Sequence, residues 1–222
     1  MPISNYEGET FVAFLDISGF KELMRRGRAL EALDCLYNAG YGNLGSQNGN
    51  RVEGIFISDC GVLFVRNKKD SLNQADDLRS ILEAIRRINK IMIRNDFMLT
   101  TSIAYGNFKY QERIEFEGIG KNLIVGNAYS EAFLDNEYGN PKIQPGQCRL
   151  VEKNLPNILI DERFRTVCKR GGNDKHYYYY WMVSTTYEIE RFEKEYKDTY
   201  NLKYAGMLNV LKDHELRQAA TH

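Results

Sequence analysis

Asp16 and Asp59 are the two residues from which a chemistry can be built. Asp16 ends a continuously apolar run, Phe11-Val12-Ala13-Phe14-Leu15, which predicts a central strand covered on both faces. Ile17, Ser18 and Gly19 then turn the chain, and a helix starts over Phe20 to Arg26. A carboxylate thus stands at the carboxyl end of a core strand, beside helix-start amides, with Gly19 permitting close approach. Carboxylates hold hard cations and helix-start amides hold phosphate, so the stretch suits a metal–triphosphate site. Taken alone, it is equally well read with Asp16 as a helix N-cap.

Asp59 adds weight to the first reading. Two β-prone runs, Val52 to Ile57 and Val62 to Val65, flank Ser58-Asp59-Cys60-Gly61, which predicts a hairpin. With that hairpin beside the first strand, Asp16 and Asp59 share a metal pair. Two carboxylates plus substrate oxygens are the usual way magnesium is held. Two metals together activate an attacking hydroxyl and stabilise a leaving pyrophosphate. An ordinary turn acid is the other account of Asp59.

Four segments in order carry a resemblance. Phe14 to Phe20 (FLDISGF), then Ile57-Ser58-Asp59 about forty residues later, resemble the catalytic core of class III nucleotidyl cyclases, most of all the bacterial pyrimidine cyclases of the Pycsar antiphage system. Ser102 to Gly106 (SIAYG) and Gly126 to Phe133 (GNAYSEAF) agree with it, and the likeness spans roughly Phe11 to Glu137. The resemblance implies an α+β, ferredoxin-like catalytic domain, mainly antiparallel, with helices on one face of the sheet; the C-terminal third lies outside the resemblance and reads as an α/β extension. It implies two Mg²⁺ or Mn²⁺ ions on Asp16 and Asp59 with the Ile17 carbonyl as a further ligand. Amides of Ser18, Gly19, Phe20 and Lys21 would cradle the β- and γ-phosphates. The family forms head-to-tail homodimers whose active sites are shared between chains. The implied substrate is UTP or CTP, cyclised to the 3′,5′-monophosphate, with a separate effector protein reading the product in phage defence.

The sequence also departs from the family. Purine cyclases place an Asn and an Arg in the helix matching Gly126 to Phe133, and Tyr129 and Phe133 stand at about those positions. Some cation must still offset charge on the transferred phosphate, and Lys121, Arg113, Arg51 and Lys21 are the candidates. Asn127 is either the polar catalytic partner or a helix cap. Ile55 and Phe56 stand where purine enzymes read the base with a Lys or Glu, and apolar bulk there favours a pyrimidine. A purine (adenylate or guanylate) cyclase and a catalytically silent nucleotide-binding module remain the alternatives. No GGDEF-type signature supports a diguanylate cyclase.

The rest of the chain bounds the answer. Its 222 residues fit one domain, core about 10–183 with a C-terminal helical extension over 184–222, and 43% hydrophobic content fills a sizeable core. Lys plus Arg and Asp plus Glu both number 30, which argues against a general nucleic-acid binder. No run has membrane-span length and no leader pattern opens the chain. Four scattered cysteines read as reduced thiols of a cytoplasmic protein, without zinc spacing. Met1 to Glu9 reads as a loose lead-in and Glu22 to Tyr37 as a helix interrupted at Gly27, whose arginines face solvent or the triphosphate. Asn38 to Asn50 reads as a loop, and Asp70 to Asp96 as an amphipathic helix covering the sheet. Phe97 to Tyr105 is a strand closed by Gly106. Phe108 to Glu117 is a hairpin arm or flap, Gly118 to Val125 a strand, and Ala128 to Tyr138 a short helix. Gln147 to Val151 and Ile158 to Ile160 are short strand candidates. His176 to Val183 (HYYYYWMV) is β-prone, its aromatics serving burial rather than base binding. Ala205 to Gln218 resembles a terminal amphipathic helix.

Overall fold

A computed structural model of the protein describes residues 4–45, 51–66, 73–115, 119–159, 161–172, 174–199 and 203–220. Among these residues eight strands form one mixed sheet: β1 (Tyr6–Ile17), β2 (Val52–Ile57), β3 (Cys60–Val65), β4 (Leu99–Glu115), β5 (Ile119–Val125), β6 (Cys148–Val151), β7 (Val167–Cys168) and β8 (His176–Tyr179). Their order is β2-β3-β1-β4-β6-β8-β7, with β5 paired to β4. All pairings are antiparallel except β4 with β6.

Alternation along β1 sorts the core into two halves. Phe11, Ala13, Leu15 and Ile17 enter the larger cluster, while Val12 and Phe14 enter the smaller one on the other face. Over the larger cluster lie α1 (Phe20–Arg25), α2 (Ala29–Asn43) and α3 (Gln74–Arg94). Leu78, Ile81, Leu82, Ile85, Ile88 and Met92 are the buried stripe of α3, each worth roughly 1.5–3 kcal/mol of burial. Over the smaller cluster lies α4 (Asn127–Tyr138), with Ala128 and Ala132 against Phe14 and Ala104. Their small side chains let this helix sit close to the sheet. So α1 to α3 take one face, as expected, and α4 takes the other.

The C-terminal helices α5 (Thr186–Asp198) and α6 (Lys203–Ala220) join the larger core through Ile189, Phe192, Tyr196, Met207, Leu208 and Leu211. Arg94 of α3 pairs with Glu215, and Arg86 donates to Gln218 at 2.7 Å. Among the described residues no helix is long and apolar enough to cross a membrane, and the four cysteines are unbridged.

Several boundaries differ from the sequence reading, each for a tertiary reason. The polar stretch Tyr6–Glu9 is strand rather than lead-in, because it pairs with Asn107 to Tyr110 of the long β4. β4 runs through Gly106 and forms a hairpin with β5, so Phe108 to Glu115 is the hairpin arm, and residues 116–117 of the stretch lie outside the described residues. α2 continues to Asn43 across the stretch read as a loop. There the bare Gly40 gives room to the Phe56 ring, which a Cβ would approach to 2.1 Å. Ile158 and Leu159 lie in a turn, not a strand. Of the aromatic run only His176–Tyr179 is strand, and Tyr178, Tyr179, Tyr180 and Trp181 are all buried.

Candidate active site

The site is assembled by backbone register. β1 lies between β3 and β4, and Asp16 stands opposite Cys60 on one side and Thr100 on the other. The hairpin turn carrying Asp59 is stitched to the end of β1 by the Ile17 amide, which donates to the Asp59 carbonyl at 3.0 Å. Ser58 takes a left-handed φ of 54° in this two-residue turn, and the Tyr37 hydroxyl of α2 donates to its carbonyl at 3.0 Å. The result is a convergent donor set: one atom each from Asp16, Asp59 and Cys60 lies within 4.8 Å of the others.

Its electrostatics are those of a cation site. Among the described residues no basic side chain pairs with Asp16 or Asp59. Burial pushes the Asp16 carboxyl up to about 6, the Asp59 and Glu137 carboxylates push the same way, and a hydrogen bond from Cys60, 3.4 Å from Asp16 Oδ1, opposes them. The Cys60 thiol is pushed well up by burial and by the same acids. Asn136 and Glu137 close the C-terminal end of α4 over this corner, with Thr100 Oγ1 donating to Asn136 Oδ1 at 3.0 Å. That end carries the negative pole of the helix dipole. Two half-buried, mutually repelling carboxylates without a counter-charge are relieved by a divalent cation. The donor set therefore fits Mg²⁺ or Mn²⁺.

Asp16 does not cap the helix: Gly19, at φ 74°, is the N-cap of α1, with no side-chain hydrogen bond. A left-handed cap of this kind suits glycine. The Ser18 amide is taken by the Met98 carbonyl at 2.9 Å, so it is withdrawn from any phosphate cradle. No backbone acceptor meets the amides of Gly19, Phe20 and Lys21 among the described residues. Arg25 and Arg26 pair with Glu22, and Arg28 with Glu31, which is the solvated-face reading of that arginine run.

The other expected site residues are dispersed. Ile55 lies on the Asp16 face, buried with Phe14 and Val62. Phe56 points to the opposite face, 6.0 Å from Tyr37 and 5.1 Å from Tyr41 between ring centroids. Arg51 is spent on Asp77 of α3, 2.9 Å away. Lys21 is exposed on α1. Lys121 and Arg113 oppose each other on β5 and β4, and their side chains lie outside the described residues. Asn127 lies at the far end of α4, its backbone amide donating to Asn107 Oδ1 at 2.7 Å, its side chain over the bare Cα of Gly106. Gly106 is in register with Thr10, six β1 residues before Asp16, which places Asn127 about 20 Å from the acids at strand rise. Tyr129 and Phe133 stack at 6.2 Å, and Phe133 meets Phe14 edge-on at 5.2 Å. They give α4 an apolar underside.

Cys60 and Glu137 are site residues that the sequence reading did not assign. Cys60 was legible from register, since it follows Asp59 in a hairpin read as lying beside β1. Glu137 had no local signal.

No protein-family model matches the sequence, and neither does any curated protein. Solved structures do match. The adenylyl cyclase CyaB from P. aeruginosa superposes with a TM-score of 0.54 at 15% identity, covering 79% of this chain and 94% of its own. The guanylyl cyclase domain of the RhoGC fusion protein from the aquatic fungus Blastocladiella emersonii, in a monomeric crystal structure of a double mutant, gives 0.56 at 14%, covering 80% and 96%. The catalytic core of a rhodopsin-guanylyl cyclase with converted specificity, in complex with ATPalphaS, gives 0.54 at 14%, covering 80% and 97%. The fold is that of a class III nucleotidyl cyclase catalytic domain.

Proposed function

We propose that the protein is a nucleotidyl cyclase acting on a pyrimidine nucleoside triphosphate, UTP before CTP. In the reaction the ribose 3′-oxygen bonds to the α-phosphorus, the bond from that phosphorus to the bridging α–β oxygen breaks, and the 3′-hydroxyl proton passes to solvent as pyrophosphate leaves. One observation carries the reading: on a class III cyclase fold, Asp16 and Asp59 meet at the carboxyl end of β1 with no basic partner among the described residues.

Asp16, Asp59 and the Ile17 carbonyl would hold two Mg²⁺ or Mn²⁺ ions, which when bound lower the pKa of the 3′-hydroxyl and offset charge on the α-phosphate. The amides of Gly19, Phe20 and Lys21 face the β- and γ-phosphates, and exposed Lys21 adds a mobile positive charge. Ile55, buried beside Phe14, presents no polar group to a base edge, which supports a pyrimidine. The roughly 20 Å between Asn127 and the acids supports a head-to-tail homodimer, in which the Asn127 and Lys121 end of one chain completes the acid end of the other. Ile57, Leu134 and Tyr138, exposed apolar side chains of β2 and α4, supply surface for that contact. The proposal extends to a second messenger of bacterial antiphage defence, read by a separate effector.

The test is direct. Purified protein is incubated with ATP, GTP, CTP or UTP and Mn²⁺, and products are identified by mass spectrometry. A cyclic pyrimidine monophosphate with equimolar pyrophosphate is expected. A cyclic purine overturns the base reading alone. The apolar Tyr129–Phe133 underside of α4 favours a second reading, a silent nucleotide-binding module. Absence of product from a folded dimer that still binds nucleotide would select it.

A further inference from the structure

Away from the acid pair, a cleft of about 320 Å3 opens between α3 and the turn at 163–167, floored by Leu82, Val167, Tyr179 and Val183. This volume lies within the range of small-molecule sites. Four arginines line it, Arg79, Arg86, Arg163 and Arg165, against one acid, Glu83. They are not equivalent. Arg79 is paired with Glu83 at 2.8 Å, and Arg163 with Asp161 and Asp76, each at 2.7 Å. Arg163 thereby fastens the turn to the start of α3. Among the described residues Arg86 has only the neutral Gln218 as acceptor, and its buried Nε has no partner. Arg165 has no ion pair among the described residues. The cleft thus holds two uncompensated guanidiniums above an apolar floor. Burial, with like charge from Arg86 and Arg94 added to it, holds the nearby Lys90 ammonium below its ordinary pKa against Glu215.

We propose that this cleft binds a small organic phosphate, its dianionic group between Arg86 and Arg165 and its apolar body on Val167, Tyr179 and Val183. Two guanidiniums match the charge of a phosphate monoester at neutral pH, and their planar forks match its oxygens. A lone carboxylate would leave one of them unanswered. Glu83, paired with Arg79, and Tyr179 also line the cleft.

Phenyl phosphate is the probe, because it carries both features and no nucleobase. Full-length protein in EDTA, which removes any divalent cation from the acid pair, is titrated by calorimetry with phenyl phosphate, phenol and inorganic phosphate at matched ionic strength. Phenyl phosphate is expected to bind with one-to-one stoichiometry, inorganic phosphate more weakly, and phenol not at all. R165Q, in an exposed turn, and R86Q are each expected to weaken binding about tenfold or more, with R191Q on α5 unchanged. No binding of phenyl phosphate to the folded protein, or equal affinity in the wild type, R86Q and R165Q, overturns the proposal. Cyclase assays of R165Q read the other site separately, so failure here and failure of the cyclase reading are distinguishable.

Discussion

Asp16 and Asp135 lie on the same face of one sheet and meet opposite fates. Asp135, on α4, receives Ser102 Oγ at 2.7 Å, Arg149 Nε at 2.8 Å and Arg149 Nη2 at 2.9 Å, and lies 2.7 Å from His176 Nε2. Burial alone would raise its carboxyl, but His176, Arg149 and Ser102 hold it below the ordinary carboxylate range. Asp16 has burial with the Cys60 thiol as its one hydrogen-bonding partner among the described residues, and it is pushed up to about 6. A carboxylate whose lone pairs are all answered within the fold is part of the fold. One left charged, crowded by other acids and near the surface is kept for something that comes from outside.

The largest expected effect breaks the answered side. D135A leaves the Arg149 guanidinium, itself buried, without its anion and should cost about 3–5 kcal/mol, read as a fall in the urea midpoint at constant m-value. D16N removes an uncompensated charge instead and should leave the metal-free protein as stable or more so by the same measurement. Equal losses for the two would erase the contrast.

Activity reverses the order. D59A and D16N should each lower product formation more than a hundredfold, beyond what loss of an outer partner of a metal ligand usually costs (about 10–100-fold). Their unfolding midpoints should stay near wild type, and isothermal titration should show Mn²⁺ binding abolished. Turnover surviving in either would sink the two-ion proposal.

The pH dependence sharpens the comparison. Asp135 has a folded pKa below its unfolded value, so its contribution is present above the ordinary carboxylate pKa and is lost as pH falls through the lower folded value. Asp16 has a folded pKa above its unfolded value, so its contribution is present below about pH 3.8 and is lost as pH rises through about 6. D16N should therefore flatten the fall in metal-free stability between these values, and added Mn²⁺ should raise the melting temperature more at pH 7.5 than at pH 5.

The smallest effect belongs to Cys60. Its thiol donates the hydrogen bond that lowers the Asp16 pKa, so C60A should shift the pH dependence of Mn²⁺ binding upward by a fraction of a unit while stability changes by about 1 kcal/mol or less. An unchanged pH profile would show that this bond carries nothing.

The two aspartates were not equally legible. Asp16 follows an apolar strand and precedes a glycine turn, and Asp59 sits between two β-prone runs, so local pattern announced both and the hairpin register brought them together. Asp135 draws on Ser102, Arg149 and His176 from three other elements, and nothing local in any of them marks the network. Strand polarity misled at Tyr6–Glu9 because pairing with β4 outweighed composition, and α2 outran its expected end because Gly40 was needed against Phe56. Phe56 drew attention as a base contact from its closeness to Asp59, but strand alternation turns it the other way.

The span of α4 sets a rule of numbers. With Asn127 and the acid pair about 20 Å apart on one chain, the shared-site proposal makes each chain half a reaction centre. While chains are mostly separate, output then rises with the square of their concentration, so doubling the protein quadruples the signal and a trace of leaky expression stays nearly silent. A cell using such an enzyme for an alarm would have a threshold built into the distance between two ends of one helix.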